Sequence, residues 1–214
     1  MSSTRLNNLQ REVLDAFFRR EDRFFLTGGA ALAGYYLKHR ETKDLDLFTT
    51  ENRMEEGVSA LTAAAQEVGA SIEPLRTSPD FRRFLLRHDS GAVVVDLVRD
   101  LAPQIFSEKS LFGTIRVDPP EEILANKLCT LLSRAEIRDL VDVWALEKRG
   151  YSIETALEQA SLKDAGMTAG QLAWVLSEIK IGDDAAPPGG LSAQELREYL
   201  HDLRDRLAGQ AFPK

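Results

Sequence analysis

The hydrophobic pattern changes its period twice across residues 24–48. The apolar run 24–26 is typical of a buried strand; it is broken at Gly28 and Gly29, after which apolar residues recur at helical spacing. Residues 43–48 then alternate polar and apolar positions with a period of two, which is the pattern of a half-buried strand. This segment therefore predicts a strand, a tight turn, a helix and a second strand.

The rest of the chain divides into a mixed region and a helical region. Residues 4–20 have the pattern of a charged amphipathic helix. Beyond residue 117 only helical patterns occur. We therefore expect an α+β fold, in which a mixed sheet with flanking helices is followed by a C-terminal helical lobe, with the two domains at residues 1–117 and 118–214. The further predicted strands are residues 72–77, 81–88 and 92–98.

Polar caps mark the expected helix starts in the C-terminal region. Asp118 precedes two prolines and a glutamate, which together form a strong signal for a helix N-terminus. Ser133, followed three residues later by a glutamate, predicts a capping box for the next helix. The remaining N-caps are predicted at Ser152, Thr168 and Ser192.

Three aspartates lie where strands are predicted. Asp44 and Asp46 project from the same face of one strand, and two adjacent carboxylates repel each other unless a cation compensates them. Asp96 interrupts the apolar run of residues 92–98, where an unpaired carboxylate is costly. Carboxylates are the ligands that Mg²⁺ prefers, and a glycine pair lets a phosphate approach the backbone N–H groups. The pattern therefore predicts a metal-dependent nucleotide site.

The order of these residues resembles the signature of a known family. A glycine pair, then Asp-Leu-Asp at residues 44–46, then the lone Asp96, is similar to the nucleotidyltransferase signature of the polymerase-beta-like superfamily. GGAAL followed by HRETKDLDLF resembles the AbiEii/AbiGii abortive-infection toxins, the toxin half of type IV toxin–antitoxin systems. Residues 122–127 and 138–142 resemble that family's second and third motifs. The resemblance implies a nucleotidyltransferase-like mixed sheet.

The resemblance also implies a reaction and roles for individual residues. A nucleoside monophosphate would pass from an NTP to an acceptor, RNA (such as tRNA) or protein, with release of pyrophosphate. Asp44, Asp46 and Asp96 would be the catalytic residues and the ligands of Mg²⁺ or Mn²⁺, and Asp96 would help to deprotonate the acceptor hydroxyl. A cognate antitoxin is the implied partner. The residues expected to bind the nucleotide are Gly28, Gly29, Lys43 and Lys127, and those expected to orient the substrate are Arg40 and Asp139.

Several of these residues also have a structural interpretation. Lys127 falls within the apolar stripe of its helix, where its stem could pack while its ammonium reaches water. Asp139 could pair with a neighbouring arginine or lysine. Arg40 and Lys43 precede the aspartate pair in a loop, where charged residues are often solvated. Many superfamily members carry serine at the position of Gly29, so backbone amides would have a larger part here.

Four arginines, Arg76, Arg82, Arg83 and Arg87, cluster on the predicted strands 72–77 and 81–88. They indicate either a local contact with an RNA acceptor or a solvated hairpin, and the second interpretation is favoured. The net charge of −7 and the pI near 5.1 argue against a broad affinity for nucleic acid.

Composition excludes several other classes of protein. The chain has three scattered histidines and the single Cys129, from which neither a zinc site nor a disulfide can be built. No apolar stretch approaches the ~18 residues of a membrane span, and the N-terminus lacks the apolar core of a signal peptide, so we expect a cytoplasmic protein. Two alternatives to the toxin-like transferase stay open: a nucleotidyltransferase with a small-molecule acceptor, of the aminoglycoside type, and a non-catalytic module that binds a nucleotide or a partner.

Overall fold

The computed structural model describes residues 5–211, which contain seven strands and eight α-helices. The strands are β1 (Phe25–Thr27), β2 (Asp44–Thr49), β3 (Ser71–Thr77), β4 (Phe81–His88), β5 (Gly91–Arg99), β6 (Ser110–Phe112) and β7 (Ile115–Val117). The helices are α1 (Asn8–Phe18), α2 (Gly28–Ala31), α3 (Met54–Glu67), α4 (Pro120–Arg134), α5 (Ile137–Lys148), α6 (Ile153–Lys163), α7 (Ala169–Ser177) and α8 (Ala193–Ala211). Helix α1 is shorter than the predicted helix 4–20, whose first residue lies outside the described part of the chain.

The seven strands form one mixed sheet in the order β3-β4-β5-β2-β1-β7-β6. Strand β2 runs parallel to β5 and antiparallel to β1, and β1 runs parallel to β7. The hairpin of β3 and β4 matches the two strands predicted for residues 72–77 and 81–88. The predicted α+β class, with a mixed sheet followed by helices, is confirmed.

The chain divides into two compact units. The sheet unit comprises the residues up to Leu101 together with Phe106–Pro119. The helical unit comprises Ala102–Ile105 and the residues from Pro120 onward.

Alternation along the central strands separates a core face from a polar face. On the core face, Leu45 and Leu47 of β2 and Val95 and Leu97 of β5 are fully buried. Helices α1 and α3 both contact β5. Each fully buried side chain of this size stabilises the fold by about 1.5–3 kcal/mol. The opposite face therefore carries the polar residues of the same strands, among them the predicted site residue Asp46.

The helix starts of the helical unit are partly those that the sequence predicts. Ser152 and Thr168 accept hydrogen bonds from the backbone N–H groups of Thr155 and Gln171, and Ser192 forms a reciprocal capping box with Glu195. These three predicted caps are confirmed.

Two predicted caps are wrong because other contacts take over. Helix α4 begins at Pro120, two residues after Asp118, whose buried carboxylate pairs with the Lys109 ammonium at 2.8 Å. Ser133 lies inside the last turn of α4 and donates to the Thr130 carbonyl, while α5 begins after Glu136 without a side-chain cap. None of the helices within the described residues combines the length and hydrophobicity that a bilayer span requires.

Candidate active site

The strand registers align Thr27, Asp46, Asp96 and Arg83 in one row across four neighbouring strands. Asp46 of β2 lies beside Thr27 of β1 on one side and beside Asp96 of β5 on the other, and Arg83 of β4 is the next partner of Asp96. Adjacent strands are about 4.8 Å apart, so neighbours in such a row point from the same face within reach of one another. Asp44 shares this face because it lies two residues before Asp46. The three predicted carboxylates therefore lie on one face of two adjacent strands.

Gly28 brings the backbone of the β1–α2 turn against Asp46. Its φ of +65° is in the left-handed region, and a Cβ at this position would lie 2.5 Å from Asp46 Oδ2. Both the backbone conformation and the contact favour glycine. The turn therefore reaches the carboxylate face at a distance that no side chain permits.

Gly29 is restricted by a different neighbour. A Cβ on Gly29 would lie 2.5 Å from Arg40 Nη2. The Arg40 side chain is buried, and its Nη1 donates to the Glu41 carbonyl at 3.0 Å. The guanidinium thus fills the space into which a serine at position 29 would extend. Lys43, the residue immediately before β2, is exposed.

Asp96 is held by Arg83 from the neighbouring strand. Arg83 Nε donates to Asp96 Oδ1 at 2.8 Å, and Arg83 Nη2 donates to Asp96 Oδ2 at 2.7 Å, which makes the pair bidentate. These hydrogen bonds raise the pKa of Arg83 above its ordinary value, against the opposing effect of burial, and the charges of Asp44 and Asp46 act in the same direction.

Arg83 is exposed, as the favoured interpretation of a solvated hairpin expects, but it also forms an ion pair with Asp96 that this interpretation does not include. A sequence signal for its position exists in the hairpin of β4 and β5. The turn between these strands is two residues long, at Asp89 and Ser90. Residues at equal distances on either side of this turn pair with each other, which places Arg83 opposite Asp96. Arg82, on the other face of the strand, pairs with Glu55 of α3.

The polar face fits a divalent cation in part. Asp44 and Asp46 offer carboxylate oxygens, the donor type that Mg²⁺ and Mn²⁺ prefer, from one face of a rigid strand. Within residues 5–211, no three or more His, Cys, Asp or Glu side chains converge closely enough to hold a metal ion together. Both oxygens of Asp96 accept from Arg83 instead. Asp44, Asp46 and Asp96 stay the predicted ligands of a divalent cation, and a cation at Asp96 would have to compete with Arg83.

The second and third predicted motifs meet inside the helical unit. Lys127 of α4 is 7% exposed, and its ammonium lies 2.6 Å from carboxylate oxygens of both Asp139 and Asp142 of α5. Both aspartates are fully buried, and Arg134 is a second partner of Asp139 at 3.0 Å. Lys127 therefore does not extend to water, and Asp139 forms the ion pairs that were its structural alternative. The contact of Lys127 with a nucleotide stays a prediction.

The two carboxylates set the protonation of this lysine. Burial alone lowers the pKa of Lys127, but the charges and hydrogen bonds of Asp142 and Asp139 outweigh burial and raise it above the ordinary value of 10.5. The ammonium is consequently a fixed positive charge at neutral pH.

Comparisons with known proteins agree with this fold. Two crystal structures of Helicobacter pylori proteins superpose on the chain. The structure of JHP933 has a TM-score of 0.55 at 22% identity, over 95% of this chain and 92% of the other. The structure of a candidate nucleotidyltransferase has a TM-score of 0.56 at 20% identity, over 94% of each chain. At these identities the likeness shows the fold. A search of curated proteins gives no match. A family described as nucleotidyl transferase AbiEii toxin, type IV toxin–antitoxin system, matches residues 12–212. The chain therefore belongs to the AbiEii family of nucleotidyltransferase toxins.

Proposed function

We propose that this protein transfers a nucleoside monophosphate from an NTP to an acceptor hydroxyl and releases pyrophosphate. The observation that carries the proposal is the juxtaposition of Gly28 with Asp46 in the row that continues to Asp96. It puts a backbone turn that can approach a phosphate beside carboxylates that can hold a cation. Membership of the family supports the same reaction.

Asp44 and Asp46 would hold Mg²⁺ or Mn²⁺ on the polar face of β2. A cation bound there would neutralise charge on the phosphates of the NTP. Asp96 lies in the adjacent strand, directly beside Asp46. This neighbour is suited to accept the proton of the acceptor hydroxyl as the new oxygen–phosphorus bond forms. The bond to the β-phosphate breaks at the same time, and its electron pair leaves with pyrophosphate.

The remaining site residues would bind and orient the NTP. Gly28 and Gly29 present backbone to the phosphates, and the buried guanidinium of Arg40 adds a fixed positive charge against the same turn. Lys43 is exposed one residue before the aspartate strand, where a mobile ammonium can reach a phosphate. Lys127 and Asp139, which form an ion pair at 2.6 Å, keep their proposed roles of contacting the nucleotide and orienting the substrate.

The family also suggests partners for the proposal. A toxin of a type IV system implies a cognate antitoxin, and we propose that one exists for this chain. The proposed acceptor is RNA, such as tRNA, or protein.

Release of pyrophosphate tests the proposal whatever the chemical class of the acceptor. Purified protein would be mixed with Mg²⁺, each NTP in turn, and total cellular RNA or protein. Asp46→Asn removes a proposed ligand, and Asp89→Asn, in the exposed hairpin turn, is the matched control. We expect release with wild type and Asp89→Asn, and a loss of at least about a hundredfold with Asp46→Asn.

The result also separates the alternatives. If pyrophosphate is released with an aminoglycoside-type compound but with neither RNA nor protein, the small-molecule transferase is favoured. Nucleotide binding with no release under any condition would favour the non-catalytic module.

A further inference from the structure

The pair of Arg83 and Asp96 occupies the position from which the third carboxylate of the site would act. The Asp96 side chain is 6% exposed, whereas the Arg83 side chain is 44% exposed. The carboxylate is thus buried in the sheet, whereas part of the Arg83 side chain is exposed to solvent. A bidentate guanidinium uses one lone pair on each oxygen, so it competes with a cation for the same carboxylate.

A neighbouring ring holds the guanidinium in this place. Arg83 lies over the Phe81 ring at 5.6 Å from its centroid, and Arg76 of β3 lies over the same ring at 5.5 Å. A guanidinium stacked on an aromatic face is restricted in orientation, and the parallel bonds to Asp96 restrict it further. Arg83 is consequently a preorganised positive charge beside the carboxylate face, and not a freely moving surface side chain.

We propose that Arg83 is a positioning residue that holds Asp96 in place and competes with the divalent cation for the carboxylate face. This inference rests on the proposed function, because it concerns the same site. With no cation at the face, the guanidinium compensates the charge of Asp96. When a cation binds to Asp44 and Asp46, it meets the repulsion of Arg83, and Asp96 becomes available to the reaction only as its bonds to Arg83 loosen.

Binding of Mn²⁺ alone, without nucleotide, tests this inference. Free Mn²⁺ would be measured by electron paramagnetic resonance against the full chain, for wild type, Arg83→Gln and Arg83→Met. Each variant removes the charge from an exposed side chain. We expect both variants to bind Mn²⁺ about tenfold more tightly, because the charges of Asp44 and Asp46 act on Arg83, and a positive charge so placed opposes a cation bound to these aspartates.

Two further variants separate competition from a structural effect. Arg83→Lys keeps the charge and should restore an affinity within about threefold of wild type, although the parallel hydrogen bonds are lost. Arg87→Met removes the same charge from the same face of β4, four residues away and opposite Ala92. Its affinity should stay within about twofold of wild type, because screening by water and salt weakens the effect at that distance.

The outcomes distinguish this inference from the proposed function. If wild type binds Mn²⁺ and both neutral variants bind it equally or more weakly, Arg83 is not a competitor and this inference fails alone. An equal gain in Arg87→Met would also overturn it, because the effect would then be one of general charge. If wild type does not bind Mn²⁺, the metal-dependent function fails and this inference fails with it.

Discussion

Gly28 and Gly29 are adjacent, yet a different side chain leaves no room for a Cβ at each position. Gly28 faces Asp46, and Gly29 faces Arg40. The sequence predicts a tight turn at this glycine pair, but only the structure shows that position 29 is matched to an arginine eleven residues later. A pattern of neighbours in the chain cannot reveal a contact made by a loop that folds back.

Gly29→Ser should therefore be tolerated poorly unless Arg40 is shortened. The new Cβ would force the guanidinium to move, which should cost about 1–2 kcal/mol of unfolding free energy. In an Arg40→Ala background, we expect the cost of Gly29→Ser to fall by at least about 0.5 kcal/mol. Urea denaturation of the four proteins in this double-mutant cycle measures the coupling. Strictly additive effects would show that Arg40 does not occupy the space beside Gly29.

Lys127 should contribute strongly to stability, whatever its part in nucleotide binding. Lys127→Met leaves Asp139 and Asp142 buried without their shared partner, and we expect a loss of about 3–5 kcal/mol. Lys43→Met, at an exposed position, should change the unfolding free energy by less than about 0.5 kcal/mol. Chemical denaturation compares the two variants. A similar small loss for both would contradict the buried ion pairs.

The pH dependence of this contribution follows from the raised pKa of Lys127. The ammonium stays protonated in the folded chain above pH 10.5, where the unfolded chain loses the proton. The stabilisation should thus be complete below pH 10.5 and decline as pH rises through the folded pKa. We expect the difference in unfolding free energy between wild type and Lys127→Met to be constant from pH 7 to 10 and to narrow only above that range. A difference in unfolding free energy that already narrows below pH 9 would contradict a raised pKa of Lys127.

At the scale of elements, local patterns predict where strands and helices lie better than they predict which polar residue begins a helix. The period-two alternation at residues 43–48 and the predicted strands 81–88 and 92–98 match the central strands β2, β4 and β5 of the sheet. Asp118 and Ser133 are each followed three residues later by a glutamate, as Ser192 is. However, the Asp118 carboxylate pairs with Lys109, and helix α4 continues through Ser133. Competition between a cap and a tertiary contact is not visible in the sequence.

This difference between serines can be tested directly. Ser192→Ala removes the hydroxyl that caps α8, and we expect a loss of about 1 kcal/mol. Ser133→Ala removes only a bond to the Thr130 carbonyl inside α4 and should change the unfolding free energy by less than about 0.5 kcal/mol. Urea denaturation of both variants gives the comparison. Equal losses would mean that Ser133 does cap a helix.

For the whole molecule, the sequence predicts the class of fold and the family, and it brings the three aspartates to one face of the sheet. The sequence does not predict which group compensates the negative charge of those carboxylates. Charge repulsion indicates a cation, whereas the structure shows that a guanidinium from the next strand already pairs with Asp96. The same physical need has two solutions, and the choice depends on strand register across a sheet.

The cation should also stabilise the whole chain. Ligands that bind only the folded state raise its stability, by about 2.7 kcal/mol at a hundredfold excess over the dissociation constant. We expect Mn²⁺ to raise the thermal midpoint of wild type and to leave that of Asp44→Asn/Asp46→Asn unchanged. Differential scanning fluorimetry with and without a chelator measures both. An equal rise in the double variant would exclude these two ligands.

The measurement that tests the central claim most directly is the transfer of label from NTPs labelled at either the α- or the γ-phosphate. Each would be incubated with Mg²⁺, the protein and total cellular RNA or protein, for wild type and Asp46→Asn. Nucleotidyl transfer predicts that α-label enters the acceptor with wild type only, while γ-label leaves entirely as pyrophosphate. Incorporation of γ-label, or α-label transferred equally well by Asp46→Asn, would contradict the account.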